Sequence, residues 1–200
     1  ATAGEVHALL AQSLLALGEH EAAGENFQKA TQLAPQSSGP WRAIASFHKD
    51  RGELGRARSA LESGMQNVDA DDKHSKGVLL TDIARLQLVA EESSAAIESL
   101  RQAASLRPAD GDIHLRLGKA LLAQDEYVCA VEALTRAAEC LPADASIWHA
   151  LGQAQQGAGD AAAALEALQR AQASGLQSNE LAAQAGTLAL QLNKFDLARS

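Results

Sequence analysis

The chain is poor in the residues that usually announce chemistry. Its 200 residues include two cysteines, one methionine, one tyrosine and four prolines, and aromatic residues make up only 3%. Two cysteines cannot build a disulfide framework. Cys129 and Cys140 fall on one expected helix, where an eleven-residue separation means about 16 Å, too far to bridge. They read as half-buried structural thiols and leave the redox compartment open. There is no Cys-x-x-Cys, no His-x-x-x-His, no phosphate-cradling glycine loop and no nucleophile elbow. No catalytic, metal or cofactor site is therefore expected in this segment.

Other absences narrow the partners. No apolar run reaches the roughly 18 residues that span a bilayer, and the start carries no signal-peptide pattern. A soluble chain without membrane insertion is expected, with the cytoplasm favoured. The formal net charge of −8 argues against nonspecific nucleic-acid binding, which needs clustered Lys and Arg. The acidic residues scatter, apart from Asp69, Asp71 and Asp72 and the Glu91–Glu92 pair, and read as solvated loops. With few aromatics, leucine and alanine must do the packing, and an apolar content of 46% suffices for a continuous core.

What is present is a frame. Ala23, Ala57, Ala96, Ala130, Ala164 and Ala198 occupy one slot, spaced by 34 residues except for a single step of 39. A fixed period in this range means stacked supersecondary units. Five residues upstream stand Gly18, Gly52, Glu91, Asp125, Gly159 and Asn193, turn formers except Glu91. Three upstream stand the mostly bulky His20, Leu54, Ser93, Tyr127, Ala161 and Phe195. Four downstream stand Phe27, Leu61, Leu100, Leu134 and Leu168, and seven downstream Ala30, Gly64, Ala103, Ala137 and Ala171. Large and small residues thus alternate at fixed offsets, which lets one helix nest against the next.

Apolar spacing within each period gives helix, turn, helix. The expected pairs are 4–17 and 20–33, 39–51 and 54–67, 73–89 and 93–106, 111–124 and 127–140, 145–158 and 161–174, then 179–192 with a stub from 195. Asp110, Asp144 and Ser178 are placed as N-caps, and Thr2 with Glu5 has the spacing of a capping box. Pro35, Pro108 and Pro142 stop helices because proline lacks the N–H and clashes with the preceding turn.

These residues resemble the tetratricopeptide repeat. Trp148, Leu151, Gly152, Gly159, Asp160, Ala164, Leu168 and Ala171 look like its pattern, and Leu117, Gly118, Tyr127, Ala130, Leu134, Ala137 and Pro142 match a second time. The resemblance covers essentially the whole chain. It implies an all-α fold, a right-handed superhelical solenoid of antiparallel helix pairs, with a groove lined by each pair's first helix. It divides residues 1–200 into repeats at about 4–37, 38–71, 77–110, 111–144 and 145–178 and a partial repeat at 179–200, with a linker at 72–76 where the longer step falls. The chain lacks an initiator Met and stops inside the second helix of a sixth repeat, so it reads as a segment of a longer protein.

Subtracting the frame leaves the first-helix stripe that the resemblance turns toward the groove. Arg42, Lys49, Arg85, Arg116 and Lys119 put positive charge there, inside an acidic chain. Leu88, Leu115 and Leu122 add apolar patches, and His149 and Gln153 continue the stripe. His7 and His114 share the slot of Trp41 and Trp148. With His20 they read as packing substitutes, His48 lies near the core side, and His74 is solvated. Gly18, Gly52, Gly118, Gly152 and Gly186 read as turn or close-packing glycines.

The expected function is a protein-interaction scaffold or adaptor that binds a protein or peptide segment, of acidic character, at these ten stripe residues. Arg can clamp a carboxylate with a bidentate fork. One alternative is that Asp82 pairs with Arg85 and Asp112 with Arg116 at helical i+3 and i+4 spacing, which would make the stripe a solvated face. Two other classes stay open: a substrate-recruiting arm of a larger enzyme, and a structural array that self-associates through uncapped repeat ends. The chain lacks the paired Lys, Asn and Arg clamp and the asparagine ladder of two subfamilies of the repeat.

Overall fold

Several helices, most of them the first of a pair, start at a side chain that serves the free N–H groups of the first turn. In the computed structural model, Thr2 and Glu5 form the reciprocal capping box at distances of 3.3 and 2.8 Å. Asp110 accepts from the backbone of Asp112 and Ile113, Asp144 from Ser146 and Ser178 from Leu181. Asp72 and Asp160 add caps that sequence reading did not single out. The structure describes residues 2–176 and 178–199, without the side chains of Glu180 and 193–199.

The described residues form eleven helices and no strand. They divide into two compact units, residues 1–107 and 108–200. The first unit holds α1 (Ala3–Ala16), α2 (His20–Leu33), α3 (Ser38–Asp50), α4 (Leu54–Asn67), α5 (Lys73–Val89) and α6 (Ser93–Leu106). The second holds α7 (Gly111–Leu122), α8 (Tyr127–Cys140), α9 (Ala145–Gly157), α10 (Ala161–Ala173) and α11 (Asn179–Arg199). Through α10, every helix begins and ends within two residues of the sequence expectation. The expected break at Asn193 and new start at 195 are not found, and α11 runs on as one helix. No glycine or proline stands between Thr187 and Arg199 to force a break. The frame side chains Asn193, Phe195 and Ala198 lie outside the described residues.

The frame slots are the core. Ala23, Ala57, Ala96, Ala130 and Ala164 are all 0% exposed, and Phe27, Leu61, Leu100, Leu134 and Leu168 are at most 1%. Positions 0, +4 and +7 lie on one helix face, so each second helix presents a large residue between two small ones. Each fully buried leucine contributes about 1.5–3 kcal/mol. A first helix needs glycine where it approaches its partner closely: a Cβ on Gly118 would stand 2.4 Å from Cγ of Leu134. In the first unit the Phe27 and Phe47 rings meet with centroids 5.5 Å apart.

The turn slot shares one backbone conformation. Gly18, Gly52 and Gly159 have φ of 81°, 74° and 88°, and Glu91 and Asp125 follow at 61° and 58°. The left-handed region suits glycine and strains Glu91. The five extra residues of the longer step do not leave an open linker. Residues 73–76 form the first turn of α5, which reaches 17 residues, and Lys76 Nζ donates to the Ala70 carbonyl at 3.0 Å.

Of three histidines, one departs from its expected place and two make bonds that spacing does not show. His114 is buried as expected and donates from Nε2 to the Pro108 carbonyl at 3.0 Å. This copies the indole bonds of Trp41 to Pro35 and of Trp148 to Pro142. His20, expected to pack, is exposed at the start of α2. His48 does more than pack, since its Nδ1 lies 2.7 Å from Glu53 Oε2.

Candidate functional site

In the first unit, the cations of the stripe are paired with carboxylates. Arg42 on α3 donates from Nε to Asp82 Oδ2 at 2.6 Å, and Arg85 reaches Asp82 Oδ1 at 3.0 Å. The Asp82 side chain is 12% exposed, against 45% and 49% for the two arginines. One nearly buried carboxylate therefore serves two half-exposed guanidiniums from neighbouring first helices. Lys49 lies 3.4 Å from Asp50. The cleft among Arg42, Ser46, Lys49, Asp82 and Arg85 encloses only about 10 Å³, about one water. Leu88 is 42% exposed.

The Asp82–Arg85 half of the alternative pairing is thus present, with Arg42 added from a position 40 residues away. The other half is absent. Arg116 on α7 is exposed and has no hydrogen-bond or ion-pair partner among the described residues. Lys119, also exposed, acts on Asp144 through space. The Asp144 carboxyl is held below its ordinary range, first by the Ser146 hydroxyl and backbone N–H and in smaller part by Lys119. On α9, the Gln153 amide lies 3.5 Å from His149 Nε2. Leu122 is half-buried. Leu115, expected to offer an apolar patch, is only 9% exposed. Its slot falls beside Leu117 and His114 on a helix that buries most of its circumference.

Sequence reasoning missed a larger cavity in the second unit. About 440 Å³ opens between α8 and α10 over a floor from α9, lined by Thr135, Glu139, Trp148, Gln155, Glu166 and Arg170 among others. The Arg170 guanidinium lies 4.8 Å from the Trp148 ring centroid and donates to Glu166 at 2.7 Å. The available signal was Arg170 itself, a cation on a second helix with an i−4 carboxylate. Among the described residues, no group of three His, Cys, Asp or Glu side chains is placed to hold a metal ion, and no helix is long and apolar enough to cross a membrane.

Antiparallel helix pairs repeated at fixed period, with the frame residues of the second helices buried, define an all-α helical-repeat solenoid. The chain belongs to the tetratricopeptide-repeat family. Models of that family, each described as tetratricopeptide repeat, match residues 4–37 and residues 88–155, together just over half of the chain. No curated protein matches the sequence significantly. Solved structures share the fold at low identity. YrrB, described as a TPR protein with an unusual peptide-binding site, is 18% identical with a TM-score of 0.69, over 90% of this chain and 90% of its own. MamA from Desulfovibrio magneticus RS-1 is 16% identical with a TM-score of 0.67, over 86% of this chain and 94% of its own. PilF of Pseudomonas aeruginosa is 16% identical with a TM-score of 0.69, over 96% of this chain and 91% of its own.

Proposed function

We propose that this chain is a protein-interaction scaffold and that the first-helix face of its second unit takes an acidic segment of a partner protein. The observation that carries the reading is Arg116, an exposed guanidinium with no partner among the described residues, in a chain of net charge −8. Lys119 stands one turn further along α7, and His149 and Gln153 lie on α9, which packs beside α7. A carboxylate brought to Arg116 gains a charge-assisted, bidentate bond that the fold does not already supply. The likeness to YrrB, with its peptide-binding site, is in keeping with a peptide ligand.

Charge alone is too weak to hold such a ligand. Exposed pairs contribute about 0.2–1 kcal/mol each, whereas a micromolar complex needs about −8 kcal/mol. The ligand must therefore also bury apolar surface, which the half-buried Leu122 begins to provide. The test is selection of random dodecapeptides on the chain, followed by titration of the selected sequences into wild type and the Arg116→Glu, Lys119→Glu double variant. Enrichment of Asp and Glu, with binding weakened by salt and lost in the variant, supports the reading. Peptides without acidic enrichment, or bound equally by the variant, would overturn it.

One observation favours a second reading, self-association. Val6 and Leu10 on α1 are 53% and 47% exposed. In the other repeats the Val6 slot holds the almost fully buried Pro40, Leu79, Ile113, Ile147 and Leu181. A second copy laid on α1 would cover this face. A concentration-dependent mass in sedimentation equilibrium that Val6→Asp abolishes supports it, and a constant monomer mass sinks it.

A further inference from the structure

The cavity between α8 and α10 has the wrong chemistry for an acidic ligand and the right one for a planar cation. Two carboxylates, Glu139 and Glu166, line it against the single cation of Arg170. Glu166 is committed to Arg170 at 2.7 Å. Glu139 is exposed and has no partner among the described residues. The floor carries the Gln155 amide, whose oxygen is buried and accepts no hydrogen bond from the described residues. A buried acceptor left unpaired is costly, and a donor that enters and draws this amide round makes the missing bond.

The wall is the Trp148 ring. Its N–H is spent on the Pro142 carbonyl at 2.8 Å, so the indole has only its π surface to offer. That surface is already used by a guanidinium: Arg170 lies 4.8 Å from the ring centroid while donating to Glu166. The fold has thus built, from its own residues, the arrangement of aromatic face, planar cation and carboxylate that recognises arginine. The remaining acceptors, Glu139 and Gln155, stand in the same cavity without a cation.

We propose that this cavity is a second ligand site, distinct from the first-helix face, and that it takes an arginine side chain from a partner peptide. A volume of about 440 Å³ lies within the range of small-ligand pockets and admits a long side chain. Arginine fits better than lysine. Its five N–H donors reach an amide oxygen and a carboxylate together, whereas an ammonium is a compact and strongly hydrated point charge. An acidic ligand would meet the unpaired Glu139 and find Arg170 occupied.

The test is titration of acetyl-Ala-Arg-Ala-amide into ¹⁵N-labelled chain, with the Trp148 indole and Gln155 side-chain amide signals followed. The lysine and glutamate counterparts of the peptide serve as comparisons. Saturable shifts at both signals are expected with the arginine peptide, weaker shifts with lysine and none with glutamate. Glu139→Gln and Gln155→Leu should each weaken the arginine peptide about threefold to fivefold, the range of one exposed charged bond. Glu139→Lys should abolish its binding. Glu139 is a surface residue, so these spectra should otherwise match wild type. No shift at Trp148, equal binding of lysine and arginine, or full binding by Glu139→Lys would overturn the assignment.

Discussion

Asp82 is where the arrangement of the first unit can be tested most sharply. Its carboxylate, 12% exposed, accepts from Arg42 at 2.6 Å and Arg85 at 3.0 Å. A hydrogen bond to a charged group contributes about 1.5–3 kcal/mol net. Both guanidiniums are half-exposed, so solvent screening places each bond at the lower end. Asp82→Ala removes both and is expected to cost about 2–3 kcal/mol. Asp82→Asn keeps one acceptor oxygen but loses the charge, and about 1–2 kcal/mol is expected. For a chain of this size, 1 kcal/mol moves the melting temperature by about 2–4 °C. Each unit carries one tryptophan, Trp41 in the first and Trp148 in the second. Urea unfolding followed by fluorescence in a Trp148→Phe background therefore reports the first unit alone. The order wild type, Asn, Ala in descending stability is expected, with the loss from Asp82→Asn roughly halved when Arg42 is already glutamine. Replacing a buried ion pair can be neutral when desolvation cancels the attraction. An Asp82→Asn variant as stable as wild type would show that this is the case here, and that the carboxylate does not hold the two helices.

Three further outcomes follow from local geometry. The Glu53 carboxyl is held down to about 2, chiefly by its hydrogen bond to His48 and next by Arg51. Its folded value is below the ordinary one, so its stabilising contribution is complete above about pH 4.5 and disappears as pH falls from there toward 2. Urea midpoints measured across that window should fall less steeply in Glu53→Gln than in wild type. Gly118→Ala would place a Cβ 2.4 Å from Leu134 Cγ, and calorimetry should register a loss of about 1–3 kcal/mol, the cost of overpacking. Glu91→Gly relieves a φ of 61°, and thermal unfolding should show a gain of about 1 kcal/mol, where the same change at Glu98, exposed in the interior of α6, should destabilise.

Residues that act within one helix or one repeat were legible in the sequence. The alanine slot located the buried face of every second helix through α10, and the turn slot located the turns, although Glu91, the exception by residue type, takes the same left-handed conformation. The cap residues Asp110, Asp144 and Ser178 could be named because an N-cap needs only its own next turn. Contacts between repeats were not legible. Helical spacing pairs Asp82 with Arg85, three residues away, and is silent about Arg42, which arrives from a neighbouring helix. Leu115 sits in a stripe slot by number, but the stripe marks a direction along α7 and says nothing of how wide its buried face becomes. The cavity at Trp148 has the same origin, since Glu139, Gln155 and Arg170 come from three helices and meet only through packing. His48 lies near the core side as expected, but its partner, Glu53, lies across a turn whose left-handed residue folds the chain back.

These differences move the weight of the stripe. Arg42 and Arg85 are internal ties, so reversing their charge would gather acidic groups around Asp82 and damage the fold before reporting on a ligand. Arg116 and Lys119 carry the functional reading instead. Mapping amide shifts of the labelled chain during titration with a selected acidic peptide tests that reading most directly. The account expects the largest shifts at Arg116, Lys119, His149 and Gln153, with the response lost in the Arg116→Glu, Lys119→Glu variant. Shifts concentrated on α8 and α10, or an undiminished response in the variant, would contradict it.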